Sequence, residues 1–523
     1  MKAVFLCSGV GSRMRPLSDI YPKSLIPVPR YHKKFDGEVV PNLLNSIEVL
    51  TFSHPLGSQI DEVVIVASES YFKREDYLKV KESVSVKILE VVNFYADSPN
   101  LNNQYSMGLV LSTIVDCDCI MVVEGDIYLR NIEDYLPLSL KSGRSYYCCT
   151  YRNKEWVFVS RYNDPTYYEI VKGANGLAMA GLSIINGQDT IDRLRRTLVS
   201  VMNPHEFWDE SLMRLNLPLQ LINVDDAILE FDSVTDLINQ GLYTPESLAT
   251  ILSEDSFVEK TDSMTNTSFV IKYNGVKSVL RLPGVGTEDF IDRSREGLVQ
   301  NLINEQASHI SPKSISYGLG VKITEFIEGC RTSEEKDAPK VISLLKEFHQ
   351  INAPLSLLTN LIDEIKDYEK LYDRSLTSIP KEYEEVSEIY KSLISSCQHQ
   401  DVVLCHRDLD PRNVLIRGDR GFLVDFEYSG LLNRYWDFGA HLSEMKLFFG
   451  TKMTEEEYAE MAMEVAGVHL IPLKLKMWRG IVDFIWSCWT IAKISLGEEY
   501  ESYLKERWEA ACEVLRDLDM ILL

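Results

Sequence analysis

The run VVLCHRDLDPRNVLIRGDRGFLVDFEYSG, residues 402–430, places residue types in an order that can move a phosphoryl group. Asp408 lies two residues after His406, Asn413 follows five residues later, and Asp425 comes directly after an apolar run. Phosphoryl transfer to an alcohol needs a carboxylate to orient and deprotonate the hydroxyl. It also needs an amide and an acid to hold Mg²⁺ on the phosphates of ATP. Asp408 suits the first role, and Asn413 with Asp425 the second. His406 and His349 read as structural, His406 orienting the loop through hydrogen bonds. A second run, FLCSGVGSRMRPLSDIYPKSLIPV at residues 5–28, sets Gly9 and Gly11 after an apolar strand, then Arg13, Arg15 and Lys23. Glycines there let backbone N–H groups point at phosphate oxygens. Asp126, and Asp232 in Glu230-Phe231-Asp232, are acids placed to hold a metal. Acids for Mg²⁺ and cations for charge developing on an α-phosphoryl group are the parts of nucleotidyl transfer, with pyrophosphate leaving in line.

Positioning these groups falls to two halves with different patterns. In the first, short apolar runs at residues 3–7, 62–67, 84–91 and 119–123 alternate with helical stretches at 42–50 and 102–114. Such alternation predicts an α/β domain with a mostly parallel sheet and ligands outside the carboxyl ends of its strands, where Gly9 and Asp126 fall. Near residue 240 the rhythm changes. The turn-like GLYTPES leads to a helical segment, and residues 268–273 and 277–282 read as a hairpin across Asn274-Gly275. From residue 340 helical patterns dominate, interrupted by the 401–427 block. The expected division is a first domain over 1–240, a linker over 241–254 and a second domain over 255–523.

Composition limits the partners. The chain has 523 residues, 45% of them hydrophobic, and a formal charge of −24. A surface this acidic repels nucleic acid and anionic lipid, and leaves small anionic substrates held in local cationic pockets. The ten cysteines form no CxxC and no Cys/His cluster, so they read as reduced, buried thiols. The N-terminal stretch is too quickly polar for a signal peptide, and the most apolar window is broken by Asp116 and Asp118. A soluble cytoplasmic protein without a membrane partner is expected, its oligomeric state left open.

The string SGVGSRMRPLSDIYPKSL resembles the signature of the nucleotide-sugar pyrophosphorylase superfamily, with Ser8 where alanine is commoner. NNQYSM, EGDIYL, EWVFVS, FWDE and EFDSVTDL narrow the likeness to CTP:phosphocholine cytidylyltransferases over residues 1 to about 238. That resemblance implies a Rossmann-like nucleotidyltransferase domain. Ser8, Gly9 and Gly11 would form the nucleotide loop with Arg13, and Lys23 would meet phosphate. Asp126 and Asp232 would carry Mg²⁺, and Asn103 and Ser106 would lie near the nucleotide. Trp156, Trp208 and Asp209 would face a quaternary ammonium group.

From about residue 259 onward the chain is similar to choline/ethanolamine kinases of the aminoglycoside-phosphotransferase-like group. The likeness rests on the HRDLDPRN and DFE elements, a phosphate-covering KTDSMTNTSF, VLRLPG with Arg281, and the adenine-bordering hinge ITEFIEG. It departs in Arg407, where asparagine is common, and in Arg281, where many kinases use lysine. The resemblance implies a bilobal, protein-kinase-like α+β domain in which Glu296 partners Arg281. Tyr428, Trp486, Trp489 and Tyr503 would form an aromatic box for choline, with Asp437 and Glu444 nearby. Together the two likenesses imply a bifunctional enzyme using ATP, CTP, choline and phosphocholine with Mg²⁺, which feeds phosphocholine to a bacterial surface glycan. Ethanolamine in place of choline, or a sugar 1-phosphate as substrate of the first half, stays open.

Overall fold

The computed structural model describes the chain except residues 10, 32–37, 53–54, 97–102, 142, 152–155, 162–165, 173–175, 201–206, 256–257, 262–265, 285–286, 288–289, 377–378 and 523. Asn102, Glu155 and the centre of the expected phosphate-covering loop therefore lie outside the described residues. The chain divides into two compact units, Met1–Ser256 and Phe257–Leu523.

A nine-stranded sheet organises the first unit. Four strands are mutually parallel, in the order Cys119–Glu124, Lys2–Leu6, Glu62–Ala67, Lys87–Val92. Glu62–Ala67 (EVVIVA) is buried along its whole length, the continuous apolar pattern of a strand covered on both faces. Beyond them the sheet turns mixed: Leu177–Asn186 pairs antiparallel with Cys119–Glu124, Ser145–Thr150 and Trp156–Ser160. Separate apolar cores cover the two faces, one around Ile65 and Met121, the other around Val64 and Leu111. Helices Asn42–Phe52 and Asn103–Thr113 contribute to these cores on opposite faces.

The stretch expected as a linker, 241–254, folds instead as part of the first unit. Thr244 caps the helix Pro245–Leu252 by accepting from Ser247 N–H, a strong start signal with proline at the first turn. Leu248, Ala249 and Leu252 are buried, and the Tyr243 hydroxyl donates to Pro27 O. Three buried side chains on one helical face leave no tether here.

The second unit has two parts. A five-stranded sheet runs Glu259–Thr261, Asn266–Tyr273, Val276–Pro283, Lys322–Glu325, Ser314–Tyr317. Its hairpin turns at Asn274 and Gly275, both with positive φ (50° and 74°), the pair a two-residue primed turn requires. Helix Arg293–Gln306 follows. The rest is largely helical around one large apolar core, with long helices Tyr435–Phe449, Pro472–Ser495 and Glu501–Leu522. The fold is thus mixed α/β: a sheet with four mutually parallel strands flanked by helices in the first unit, and a small sheet followed by a largely helical part in the second. Among the described residues no helix is long and apolar enough to cross a membrane.

Candidate active sites

In the first unit a cavity of about 690 Å³ opens at the carboxyl ends of the adjacent parallel strands Lys2–Leu6 and Cys119–Glu124. Gly125 lies between them so tightly that a Cβ would sit 2.8 Å from Leu6 O. Ser8, Gly9, Arg13 and Lys23 line one side. Gly11 does not line it. Gly11 adopts φ +62°, and a Cβ there would meet Lys23 Cγ at 3.3 Å, so it shapes the turn that carries Lys23. Asp126 follows Cys119–Glu124 by two residues. Phe231 N–H donates to Asp126 O (3.0 Å), which brings Asp232 alongside.

Lys23 Nζ lies 3.1 Å from Asp126 Oδ2 and 3.0 Å from Asp232 Oδ1, and Arg13 reaches the same Asp232 oxygen at 2.8 Å. Burial alone would lower Lys23; Asp126 and Asp232 outweigh it and raise its pKa. Among the described residues, Asp126 Oδ1 is buried with no hydrogen-bond partner. An orphaned carboxylate oxygen beside a second acid is a donor set that fits a hard divalent cation.

Asn103 lines the cavity, its amide donating to Glu124 Oε1 (3.3 Å) and its oxygen accepting from Trp208 N–H (3.2 Å). Ser106 is buried behind it, accepting from Asn93 (3.0 Å), and is not part of the lining. Trp156 faces the cavity with its ring 6.0 Å from Phe207. Trp208 does not. It is 1% exposed and packs in the core with Met107 and Leu111, because it opens the short helix Trp208–Arg214 on the inward face while Asp209 and Glu210 reach the cavity. Trp208→Ala should therefore destabilise the first unit by about 3–5 kcal/mol, seen as an early unfolding transition. Trp156→Ala should leave that transition in place. Phe207, Glu124, Glu210 and Thr150 also line the cavity. Phe207 and Glu210 stand at the start of the same short helix, within the FWDE string, and Glu124 opens EGDIYL; Thr150 is the one of the four outside the strings quoted above.

Asp209 is buried, and its Oδ1 accepts from Tyr147 Oη at 2.5 Å. Burial is the main reason its pKa is pushed up to about 7.

In the second unit a cavity of about 600 Å³ is lined by Arg281, Asp408, Asn413 and Asp425 together with Tyr428, Trp486, Trp489 and Tyr503. Asn413 Nδ2 donates to Asp408 Oδ2 at 2.8 Å. Burial, then Asp410 and Asp425, raise the pKa of Asp408 well above the usual carboxylate range. Arg281 bonds Asp425 and Glu296 and lies 3.3 Å from Glu427. Glu296 is buried behind Arg281 and does not line the cavity. Asp425 and Arg407 both sit at positive φ (66° and 73°), an uncommon conformation that the surroundings must enforce.

Asp437 supplies that enforcement at Arg407. It accepts from the N–H groups of His406 and Arg407 (each 2.9 Å) and from His349 Nε2 (2.8 Å). Its place is thus behind the 406–413 loop, holding the backbone, and not beside the aromatic box. His406 Nε2 donates to Val424 O (2.9 Å), tying the loop to the strand-end before Asp425. Burial keeps this imidazole neutral by lowering its pKa. Arg407 pairs with both oxygens of Glu364 (3.0 and 2.8 Å) and lies over Trp436.

The aromatic walls come largely from one helix. Trp486 and Trp489, three residues apart on Pro472–Ser495, meet edge-on at 5.7 Å, and Tyr428 meets Trp486 at 5.3 Å. Tyr500 and Phe290 extend the cluster around Trp489. Glu444 backs it through Arg507, whose guanidinium lies 4.9 Å over Tyr503.

The family model for choline/ethanolamine kinase matches residues 258–464, so the C-terminal unit carries a domain of that family. Protein LicA of Haemophilus influenzae is 25% identical over 305 residues, covering 53% of this chain and 85% of that protein. A choline-phosphate cytidylyltransferase of the same species is 27% identical over 249 residues, covering 45% of this chain and 94% of its own length; the likeness falls in the N-terminal half. Among solved structures, choline kinase LicA from Streptococcus pneumoniae is 25% identical and covers 52% of this chain and 97% of its own, with a TM-score of 0.45.

Proposed function

We propose that this chain is a bifunctional enzyme: the C-terminal unit phosphorylates choline with ATP, and the N-terminal unit joins phosphocholine to CTP, giving CDP-choline and pyrophosphate. The observation that carries the reading is the 600 Å³ cavity in which Asp408, Asn413, Asp425 and Arg281 stand together with Tyr428, Trp486 and Trp489. Phosphoryl-transfer groups and a box of aromatic faces in one space suit an alcohol that bears a quaternary ammonium.

In the kinase site Asp408 accepts the hydroxyl proton of choline, and its raised pKa suits a general base. Asn413 fixes the Asp408 carboxylate through the 2.8 Å bond. The indole and phenol faces hold the trimethylammonium, each contact being worth about 0.5–2 kcal/mol. Arg281 meets the phosphates of ATP, braced by Glu296. In the transferase site Ser8, Gly9 and Arg13 border the nucleotide, with Asn103 across the cavity. Lys23 neutralises charge on the reacting α-phosphoryl group, while Trp156 and Asp209 face the ammonium end of phosphocholine. Asn413 and Asp425 in one unit, and Asp126 and Asp232 in the other, would hold Mg²⁺, which supplies charge neutralisation on phosphate oxygens. Ser106 and Trp208 act from behind the lining.

The test is to incubate the protein with ATP, CTP, Mg²⁺ and a panel of amino alcohols and weigh the products. CDP-choline with pyrophosphate and ADP supports the reading. A preference for ethanolamine, or turnover of a sugar 1-phosphate by the first half, rejects the corresponding substrate. A pH effect is also expected. Asp209 is protonated below about 7 and charged above it, so attraction of the trimethylammonium grows as pH rises through 7. KM for phosphocholine should fall several-fold between pH 6 and 8 in the wild type, and stay flat in Asp209→Asn.

A further inference from the structure

Lys322 is a buried cation with no role in the chemistry above. Its strand, Lys322–Glu325, runs antiparallel to Val276–Pro283, and Lys322 stands directly opposite Arg281. Residues so paired share one face of a sheet, and both side chains line the 600 Å³ cavity beside Asp425. Like charges placed opposite each other repel, and here both are buried, at 6% and 8% side-chain exposure.

Nearby carboxylates do not account for the lysine. Arg281 bonds Glu296, Asp425 and Glu427. Arg293 adds a second guanidinium to Glu296 (3.2 Å) and Glu427 (2.9 Å). Lys322 Nζ has a 3.4 Å contact to Glu296 Oε1, the oxygen Arg281 already takes, and a ring contact with Phe426 at 5.8 Å. A charge-assisted N–H···O bond is ordinarily 2.7–2.9 Å. An ammonium carries three donors; Glu296, Asp425 and Glu427 all act on it through their charge, but the hydrogen bond shown for it among the described residues is this one long contact, and such burial favours the arrival of a further acceptor. Burial, and then Arg281, lower its pKa accordingly.

We propose that Lys322 is a second phosphate-binding cation of the kinase site. Its ammonium and the Arg281 guanidinium grip anionic oxygens of the ATP polyphosphate from neighbouring strands. This rests on the reading of the C-terminal unit as an ATP-dependent kinase. It explains how that unit offsets a polyphosphate brought close to Asp408, Asp425 and Glu427 when Arg281 is engaged by acids. It also adds an ammonium from the neighbouring strand at a site whose own strand carries arginine.

The test separates phosphate recognition from fold support. ADP and adenosine are titrated calorimetrically into the full chain and into Lys322→Gln and Lys322→Arg. For Lys322→Gln, the ADP Kd should rise at least tenfold while the adenosine Kd stays within twofold, and Lys322→Arg should recover part of the loss. Unchanged ADP binding, or equal losses for ADP and adenosine, would make Lys322 a counter-ion of Glu296 and overturn the proposal. Where the glutamine variant does not fold, reductive methylation of the wild type decides: ADP should protect Lys322 and adenosine should not, and equal labelling with and without ADP overturns the proposal. Wild-type protein that binds no ADP would sink the kinase reading itself, an outcome distinct from a variant that binds ADP normally.

Discussion

Asp408→Asn is expected to lower choline phosphorylation by about 10²–10⁴-fold, the range a positioned general base contributes, with CDP-choline formation from phosphocholine and CTP unchanged. The substitution is nearly isosteric and retains an oxygen that can accept the 2.8 Å bond from Asn413, so the 406–413 loop keeps its shape. What is lost is the basic oxygen. In the wild type the raised pKa of Asp408 gives kcat/KM for choline a rise with pH as the carboxylate ionises; the variant should lack that limb. Each activity is read separately, ADP release with choline and pyrophosphate release with phosphocholine. The reciprocal change, Asp126→Asn, should stop cytidylyl transfer and spare the kinase. A folded variant of either kind that loses both reactions contradicts the two-site reading, as would Asp408→Asn protein that keeps a tenth of its kinase rate.

How much of this was legible in the sequence depends on whether a residue's role is local. Strands such as Glu62–Ala67 and the hairpin across Asn274-Gly275 stand where hydrophobic runs and turn residues put them, because backbone geometry and side-chain pattern are both set within a few residues. The 402–430 block is legible for the same reason: the spacing from His406 to Asp425 is carried by one loop and the two short strands Val414–Arg417 and Arg420–Leu423. Trp208 shows the limit. A tryptophan followed by acids at a helix start fits either a cavity wall or a core, and only the packing of Met107 and Leu111 settles it. The role of Asp437 is not legible locally, because its partners, the N–H groups of His406 and Arg407, are some thirty residues away in sequence.

Lys322 carries a weak local signal that does become readable afterwards. In GVKITEF it is a charge set among apolar residues of a short strand, where an outward lysine would be ordinary. What the pattern withholds is register: only the pairing with Arg281 turns the side chain toward the cavity. The segment at 241–254 failed for the opposite reason. Its turn residues look like a connection, yet Thr244 and Pro245 are a helix start, and the apolar face behind them finds a core.

Lys23→Met should reduce cytidylyl transfer by about 10²–10³-fold, comparable to deleting a preorganised donor aimed at developing charge, and should leave choline phosphorylation intact. Methionine preserves the apolar stem that packs near Gly11, so the change removes little besides the ammonium. A second effect runs in the other direction. Lys23 Nζ holds Asp126 at 3.1 Å and Asp232 at 3.0 Å, which are the carboxylates proposed for Mg²⁺, and an ammonium there competes with the metal for the same oxygens. Removing it ends that competition at Asp126 and leaves Asp232 with Arg13 at 2.8 Å, so the Mg²⁺ concentration giving half-maximal residual rate should fall even as kcat falls. A merely structural lysine would weaken metal binding and rate together, because its loss would let the two acids drift apart. Titrating Mg²⁺ against the residual rate at saturating CTP and phosphocholine tells these apart. An unchanged rate, or a metal requirement that rises in step with the loss of rate, would remove Lys23 from the reacting centre.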